Sequence, residues 1–375
     1  MTAEKEIAGF VLPFTLGAAL ILALEPSLST SSTCISSAAI SASVAGLCAL
    51  IHPAHKELDS IHLWAIIIGL GLCCGILCST QGMWYSYGEL GSSGWISETA
   101  STFGEKMKAE IASIPFKDAA ANSIISALIT GDRTGLESET IETFRASGAS
   151  HILALSGMHL GIIYGILKAL FYLLGNTRYS KATKSAIIIA ICGFYTLSTG
   201  AGPSIVRAFI FILIAETAVL LNRSRNLKGI LFISLLIQLT ICPGDIKSIG
   251  FQLSYAAVAG IAFIFPPLQN LWSRKDDNEG LTSRILRRIW TSAALSIACQ
   301  VTTAPIAYAY FGTFPQYFLI TNLIAAPLVM LIIPSGLLVT FLNCCGLCPE
   351  FLIDATEILI NTLTWSLGVI ASLSN

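Results

Sequence analysis

The stretch SGASHILALSGMHLGIIYG, residues 147–165, is an apolar segment that keeps two histidines, a polar serine and regularly spaced glycines. Its composition predicts a membrane helix, and similar apolar segments recur along the chain. Polar and ionisable side chains are costly in hydrocarbon, so those that remain there tend to mark pathways or close helix contacts. His151, Ser156 and His159 are therefore candidate functional residues.

The whole chain has the composition of a membrane protein. Of its 375 residues, 54% are hydrophobic and only 11% are charged, whereas soluble proteins carry about 25% charged residues. We predict an all-α polytopic membrane protein with about 11 transmembrane helices, because that many apolar windows can cross the hydrocarbon layer. The predicted spans are residues 7–24, 34–51, 61–80, 151–174, 183–199, 204–221, 228–242, 251–268, 289–311, 317–342 and 351–371.

Basic residues orient these spans. They concentrate in the predicted loops at 175–184, 222–228 and 269–288, and basic loops face the cytoplasm. The alternation predicts a multi-pass protein of the cell inner (cytoplasmic) membrane. Its N-terminus is expected in the cytoplasm, and its C-terminus and residues 81–150 outside.

Three regions follow from this pattern. Residues 1–80 form an N-terminal three-helix membrane segment, residues 81–150 form extracytoplasmic interfacial amphipathic helices, and residues 151–375 form the main transmembrane module. In the outer region apolar residues recur at helical spacing, which is typical of a helix lying in the membrane interface. This stripe consists of Ile96, Phe103, Met107, Ile111 and Ile114, and a second short helix is predicted at Ala119 to Thr130.

The fourth predicted span has two faces. Gly157, Gly161 and Gly165 drift by only about 80° and form one stripe, which would let another backbone approach closely. His151 and His159 fall on the other side of the same helix, roughly 80° apart. That side is free to face water, substrate or a partner. Alternatively, each histidine hydrogen-bonds a neighbouring carbonyl.

Arg207 and Glu216 lie on the next but one span. Arg207 follows the break at 200–204, and a helix N-terminus with an arginine in its first turns suits an anion. The alternative is that Arg207 reaches the outer headgroups. Glu216 is about 180° round the same helix, so it needs a partner elsewhere or lies near the inner surface.

Further polar residues interrupt later spans. Gln252 and Ser254 open the eighth, and Asn322 lies in the tenth. They indicate a central polar pathway, although interhelical hydrogen bonds and helix kinks would explain them equally well.

The chain carries no familiar catalytic pattern. It has no P-loop, no GxSxG, no HExxH and no HxHxDH cluster, and each of these motifs would signal a hydrolytic site. Most of the eleven cysteines lie inside apolar segments, which is unlike a disulfide framework or a zinc site. We expect no enzyme activity, no cofactor and no metal.

Five blocks of sequence resemble the membrane module of the ComEC competence-protein family. The resemblance runs in order over roughly residues 115–340. The blocks are GDRTGL (131–136), TFRASGASHILALSGMHLG (143–161), PSIVRA (203–208), GFQLSYAAVAG (250–260) and YFGTFPQYFLITNLIAAPL (310–328).

The resemblance implies a function. Members of this family form the inner-membrane channel that admits one DNA strand during natural transformation, so residues 151–375 are expected to be a competence-type channel module for single-stranded DNA. The residues at characteristic positions are Arg133, Arg145, His151, Ser156, Gly157, His159, Arg207, Gln252, Ser254 and Asn322. The resemblance does not fix their individual roles.

The departures from the family pattern shape the other expectations. Relatives also carry an OB-fold and a metallo-β-lactamase-like domain, and this sequence shows neither. A membrane-only relative would work with a separate DNA receptor, nuclease and cytoplasmic motor. Two other functions stay open: a transporter for a small anionic solute that binds at the break near Ser204, and a non-transporting membrane scaffold that docks partners through residues 81–150.

Overall fold

The computed structural model describes residues 3–24, 67–76, 94–172, 178–221, 226–272, 281–312 and 317–374. The regular structure in these ranges is entirely helical, with no β-strand among them, which confirms the all-α class. The predicted span at 34–51, all of residues 81–93, and parts of the predicted span at 61–80 and of the basic loops lie outside the described residues.

The described helices are numbered in chain order. They are α1 (Ala3–Leu24), α2 (Ile67–Ile76), α3 (Trp95–Ser113), α4 (Ala119–Thr130), α5 (Ser138–Ala146), α6 (Ser150–Leu153), α7 (Gly157–Tyr172), α8 (Arg178–Ser198), α9 (Pro203–Leu220), α10 (Leu227–Ile241), α11 (Ile249–Asn270, with a π-helical turn at Gly260–Ile264), α12 (Leu281–Phe311), α13 (Phe318–Cys344) and α14 (Glu350–Ser374).

Some of these helices have the length and apolarity of membrane spans. Within the described ranges four qualify, namely α9, α11, α13 and α14. Shorter apolar helices include α2, α4, α7 and α10, and part of α1. Basic residues at the start of α8 and polar residues within α12 lower the hydropathy of those two long helices. The number of about 11 spans therefore stays a prediction.

Buried apolar residues form clusters that divide the bundle. One cluster joins α3, α4, α5, α6, α13 and α14. Another joins α7, α8 and α9, and a further one joins α1, α10 and α11. Helix α7 contacts both α9 and α13, while α9 contacts α10 and α11. Helix α7 therefore lies where the first two clusters meet.

Helix α4 is a core helix. Asp118 caps its start by accepting a hydrogen bond from the Ala120 N–H at 2.9 Å, and Gly131 ends it at a φ of 78°, a conformation that costs glycine little. Ile125 and Leu128 are fully buried. The sequence predicted this helix correctly, and neighbouring helices enclose its apolar face. Its predicted location in the membrane interface stays a prediction. Periodicity identifies an apolar face, but not the surface that covers it.

The predicted stripe on α3 divides in two. Ile111 and Ile114 are buried, whereas Ile96 and Phe103 are 48% and 47% exposed. Between the two halves Gly104 packs against the end of α8, so closely that a Cβ atom there would collide with the Ser198 carbonyl oxygen. The C-terminal half of α3 therefore belongs to the core, and its N-terminal half presents apolar side chains outward.

The connection between α13 and α14 lies beside the end of α3. Asn343 Nδ2 donates to Glu110 Oε1 at 2.8 Å, and Lys117 Nζ lies 2.8 Å from Asp354 Oδ1. The predicted orientation places residues 81–150 outside and the start of α14 in the cytoplasm. Residues in contact cannot be separated by about 30 Å of hydrocarbon, so these two placements are incompatible. The positive-inside rule misses this because the α13–α14 connection carries no basic residue.

We predict that Gly104→Ala destabilises the protein by about 2 kcal/mol, because the added methyl group forces two backbones apart. The matched control is Gly161→Ala in α7, where an added Cβ has no atom within 4 Å in the described structure. It should change stability by less than about 1 kcal/mol. The midpoint of thermal unfolding in detergent measures both, and equal effects would refute the close packing of α3 on α8.

We also expect residues 106 and 345 to lie on one side of the membrane. Cys345 is exposed, and Lys106 is an exposed residue of α3. In an otherwise cysteine-free chain, Cys345 alone and a Lys106→Cys variant should react with a membrane-impermeant maleimide from the same side. Lys181→Cys, in a predicted cytoplasmic loop, serves as the control for the other side. Labelling of positions 106 and 345 from opposite sides would contradict the contacts of α13 and α14.

Candidate functional site

The stretch singled out in the sequence is broken in the structure. Helix α6 ends at Leu153 and α7 begins at Gly157, with Ala154 in an extended conformation at a ψ of 124°. The prediction of one helix over 151–174 is therefore wrong, and so is the fixed angle between His151 and His159. Hydropathy misses the break because residues 154–156 are small or apolar.

Ser156 and His159 close the break in a reciprocal arrangement. The Met158 N–H donates to Ser156 Oγ at 3.3 Å, while the Ser156 N–H donates to His159 Nδ1 at 3.1 Å. In a capping box the serine satisfies a helical N–H, and the residue three positions on satisfies the serine N–H. His159 here takes the position usually held by glutamate. S-x-x-H is the sequence signal that would have indicated it.

Arg133 provides a hydrogen bond to the carbonyl group that α6 leaves unpaired at the break. Its Nε donates to the Leu153 carbonyl at 3.0 Å, at the end of α6. The turn that presents Arg133 is held by Asp132, whose carboxylate accepts from the Thr134 N–H at 3.0 Å and the Thr134 hydroxyl at 2.7 Å. These hydrogen bonds, together with Lys108 nearby, hold the pKa of Asp132 below its usual value. The loop is thus built to place one guanidinium beside the break.

His151 and Asn322 meet on the α13 side of the break. The His151 ring lies 5.6 Å from the Phe318 ring, and its imidazole interacts with the Asn322 side chain. Thr321 Oγ1 donates to the Ser147 carbonyl at 2.6 Å, which fixes the start of α13 against the connection between α5 and α6. Asn322 Oδ1 is buried, with no hydrogen-bond partner in the described part of the chain.

The glycine stripe of α7 does not face the core. Gly157 approaches Ala208 of α9, to which an added Cβ would lie at 3.5 Å, but Cβ atoms on Gly161 and Gly165 would meet nothing within 4 Å in the described structure. The opposite face is the packed one, because His159 and Leu160 are fully buried. The described helices do not pack on Gly161 and Gly165, so the packing role of these two glycines stays a prediction. His159 lies on this packed face, so its imidazole points into the protein while it is hydrogen-bonded at the N-terminus of α7.

Arg207 lies in a second polar group, formed by α9 and α11. It is only 2% exposed, donates through Nη2 to the Gly250 carbonyl at 2.7 Å, and lies 5.9 Å from the Phe251 ring centre. It therefore does not extend to the headgroups. Gln252 Nε2 donates to the Ile246 carbonyl at 2.8 Å, and Ser254 is half-buried on the same helix.

The predicted site residues thus separate into groups. Around the α6–α7 break lie Arg133, His151, Ser156, His159 and Asn322. Arg207, Gln252 and Ser254 lie at the neighbouring ends of α9 and α11, and the approach of Gly157 to Ala208 brings the two groups side by side. Arg145 stands apart, since it is exposed and lies 3.8 Å from Glu142 on the surface of α5.

A buried charge network was not predicted. Glu216 is fully buried, and its carboxylate accepts from Tyr164 Oη and Ser185 Oγ, each at 2.6 Å. Lys168 Nζ lies 2.9 Å from the same carboxylate. The network unites α7, α8 and α9. The four-residue spacing of Tyr164 and Lys168 places both side chains on one face of α7. Their shared partner Glu216 is far away in the sequence, so the spacing alone does not identify it.

A cleft of about 790 Å³ opens between the N-terminal half of α3 and the α8–α9 connection. Its charged lining consists of Glu98, Glu105 and Lys108. Lys108 Nζ is 2.8 Å from Glu105 Oε1 and 3.5 Å from Asp132 Oδ2. The surplus of carboxylates disfavours an anionic ligand. In the described residues no group of three or more His, Cys, Asp and Glu side chains is arranged to hold a metal ion.

Comparison with known proteins gives one family. A family described as "Competence protein" matches residues 128–375. The chain is similar to ComE operon protein 3 of Bacillus subtilis (strain 168), with 25% identity over 218 residues. That match covers 57% of this chain but only 24% of the relative. No solved structure matches.

We predict that Lys168→Met destabilises the protein by about 3 kcal/mol, because it leaves the Glu216 carboxylate buried without its cation. The double variant Lys168→Met/Glu216→Met should recover most of that loss, since it removes both charges. Thermal unfolding in detergent of the wild type, Lys168→Met, Glu216→Met and the double variant measures the coupling between the two residues. If the two single losses simply add in the double variant, the residues do not form a coupled pair.

Proposed function

The chain belongs to the competence-protein family, and from that premise we propose that it forms part of the path by which single-stranded DNA crosses the bacterial inner membrane during natural transformation. The chain spans about a quarter of the length of the curated relative that it matches. The role proposed for this chain is passage of the strand through the membrane. We further propose that a separate DNA receptor, nuclease and cytoplasmic motor act with it.

The observation that carries this proposal is the convergence of polar side chains at the α6–α7 break. Arg133, His151, His159 and Asn322 come from three separate segments and meet where apolar helices pack. All four lie within the residues matched by the family. Irregular backbone at membrane depth is tolerated where protein encloses it or where it lines a cavity. A break surrounded by such side chains is suited to the lining of a polar path.

The charge distribution agrees with a conduit rather than a tight binding site. Proteins that hold single strands firmly combine a basic groove with stacking aromatic side chains, and affinity grows with each phosphate neutralised. Among the described residues at the break Arg133 supplies the cationic side chain, and its Nε is already hydrogen-bonded to the Leu153 carbonyl. Few cations near the path would allow a strand to slide without being retained.

The test is uptake in a strain that lacks the gene. A clean deletion should abolish transformation while leaving DNA binding at the cell surface unchanged, and the wild-type chain should restore transformation. With Arg207→Ala the transformation frequency should be at least about tenfold lower than with the wild-type chain, because removal of a buried cation disturbs the α9–α11 group. Arg284→Ala, at an exposed arginine of α12, should restore it fully.

The readouts separate the alternatives. Normal transformation in the deletion strain would refute the function. Solute-dependent flux in liposomes without DNA would favour a transporter for small anions. Equal transformation with Arg207→Ala and Arg284→Ala would leave the function intact but remove Arg207 from the path.

A further inference from the structure

His159 has a fixed hydrogen-bonding role that the capping arrangement dictates. A backbone N–H can only donate, and that of Ser156 points at His159 Nδ1 at 3.1 Å. Nδ1 must therefore carry its lone pair rather than a proton. In a neutral imidazole the other nitrogen then carries the proton, so the arrangement assigns His159 the Nε2–H tautomer, inferred from the hydrogen-bond network.

The Nε2–H group has no acceptor in the described structure. His159 is fully buried, and its Nε2 makes no hydrogen bond within the described ranges. The Ile152 carbonyl is near the imidazole but does not meet hydrogen-bond geometry with Nε2. A buried donor without an acceptor costs free energy. Its retention at the junction of α6, α7 and α13 calls for an occupant that supplies an acceptor.

This tautomer also restricts the chemistry of the occupant. A metal ion bound at Nε2 would need a lone pair there, and the proton occupies that position. A hydrogen-bond acceptor fits instead. A path that passes any sequence must use a group common to all nucleotides, and the phosphodiester oxygen is such a group, whereas adenine has no carbonyl oxygen.

We propose that His159 Nε2–H donates a hydrogen bond to a phosphodiester oxygen of the passing DNA strand, while Nδ1 holds the start of α7. The proposal rests on the function proposed above and names the chemical group that this residue contacts. His159 thus has two separable tasks, one at each ring nitrogen. Ser156 fixes the tautomer and in this way positions the donor.

Two substitutions separate the tasks. The amide of glutamine reaches the position of Nε2, so His159→Gln keeps a donor there and loses the contact with Ser156. The amide of asparagine reaches the position of Nδ1, so His159→Asn keeps the contact with Ser156 and loses the donor. The purified full chain in nanodiscs is titrated against fluorescent oligo-dA and oligo-dT, with fluorescence anisotropy as the readout, and thermal unfolding reports on folding.

We expect His159→Asn to weaken binding of both oligonucleotides by about tenfold, which corresponds to the loss of one hydrogen bond to a charged acceptor. His159→Gln should bind like the wild type, although it unfolds at a lower temperature. Equal weakening in both variants, no change in either, or weakening only in His159→Gln would overturn the proposal. Weakening confined to oligo-dT would also overturn it, because it indicates a base carbonyl.

Three further outcomes are decisive. If His159→Asn does not fold, His159→Gln alone decides: retained binding supports the proposal and lost binding overturns it. If the wild-type chain binds neither oligonucleotide, the proposed function fails and this inference fails with it. If the wild type binds DNA and His159→Asn binds equally well, only the inference fails.

Discussion

The site depends on how the backbone is satisfied where α6 gives way to α7. A helix interrupted inside a membrane bundle exposes N–H and carbonyl groups, and each group left unpaired there costs several kcal/mol. Arg133 covers the Leu153 carbonyl, and His159 covers the Ser156 N–H. Arg133 and His159 therefore stabilise the break, and they are also the polar side chains that line it. Structure and proposed function therefore draw on the same side chains, and in His159 they use different nitrogens of one ring.

Buried carboxylates illustrate two ways to stabilise charge in an apolar bundle. Glu216 is satisfied by side chains, because Tyr164 and Ser185 donate to it and Lys168 neutralises it. Glu357 is satisfied by backbone groups, namely the N–H of Lys117 at 3.2 Å and that of Asp118 at 2.9 Å. The first solution ties α7, α8 and α9 together. The second ties the final helix to the start of α4.

Helix positions were largely predictable from the sequence, because continuous apolar runs define them. The spans predicted at 204–221 and 317–342 appear as Pro203–Leu220 and Phe318–Cys344. The break at 154–156 was not predicted, since an average over a long window hides three residues whose effect depends on capping. The burial of α4 was also missed, because the helices that cover it come from the distant C-terminal part of the chain.

Candidate residues were predicted better than their contacts. The polar residues of the 147–165 stretch do lie at one junction, because neighbours in sequence share a location. Which face of α7 is buried was not predictable, because other helices decide it by packing against the face of His159 and not against the face of Gly161. Glu216 shows the same limit: its burial was foreseeable on an apolar helix, but Lys168 as its cation was not.

The hydrogen bonds from Lys117 and Asp118 to Glu357 have a consequence for synthesis at the ribosome. The two partners are 240 and 239 residues apart in sequence, and chains emerge at about 5–20 residues per second. The start of α4 must therefore wait for more than ten seconds, by that rate, before its final acceptor exists. Until α14 is released, the earlier helices assemble without this partner. A truncated nascent chain would retain that exposed end, which offers a chaperone or membrane protease a means of telling unfinished copies from finished ones.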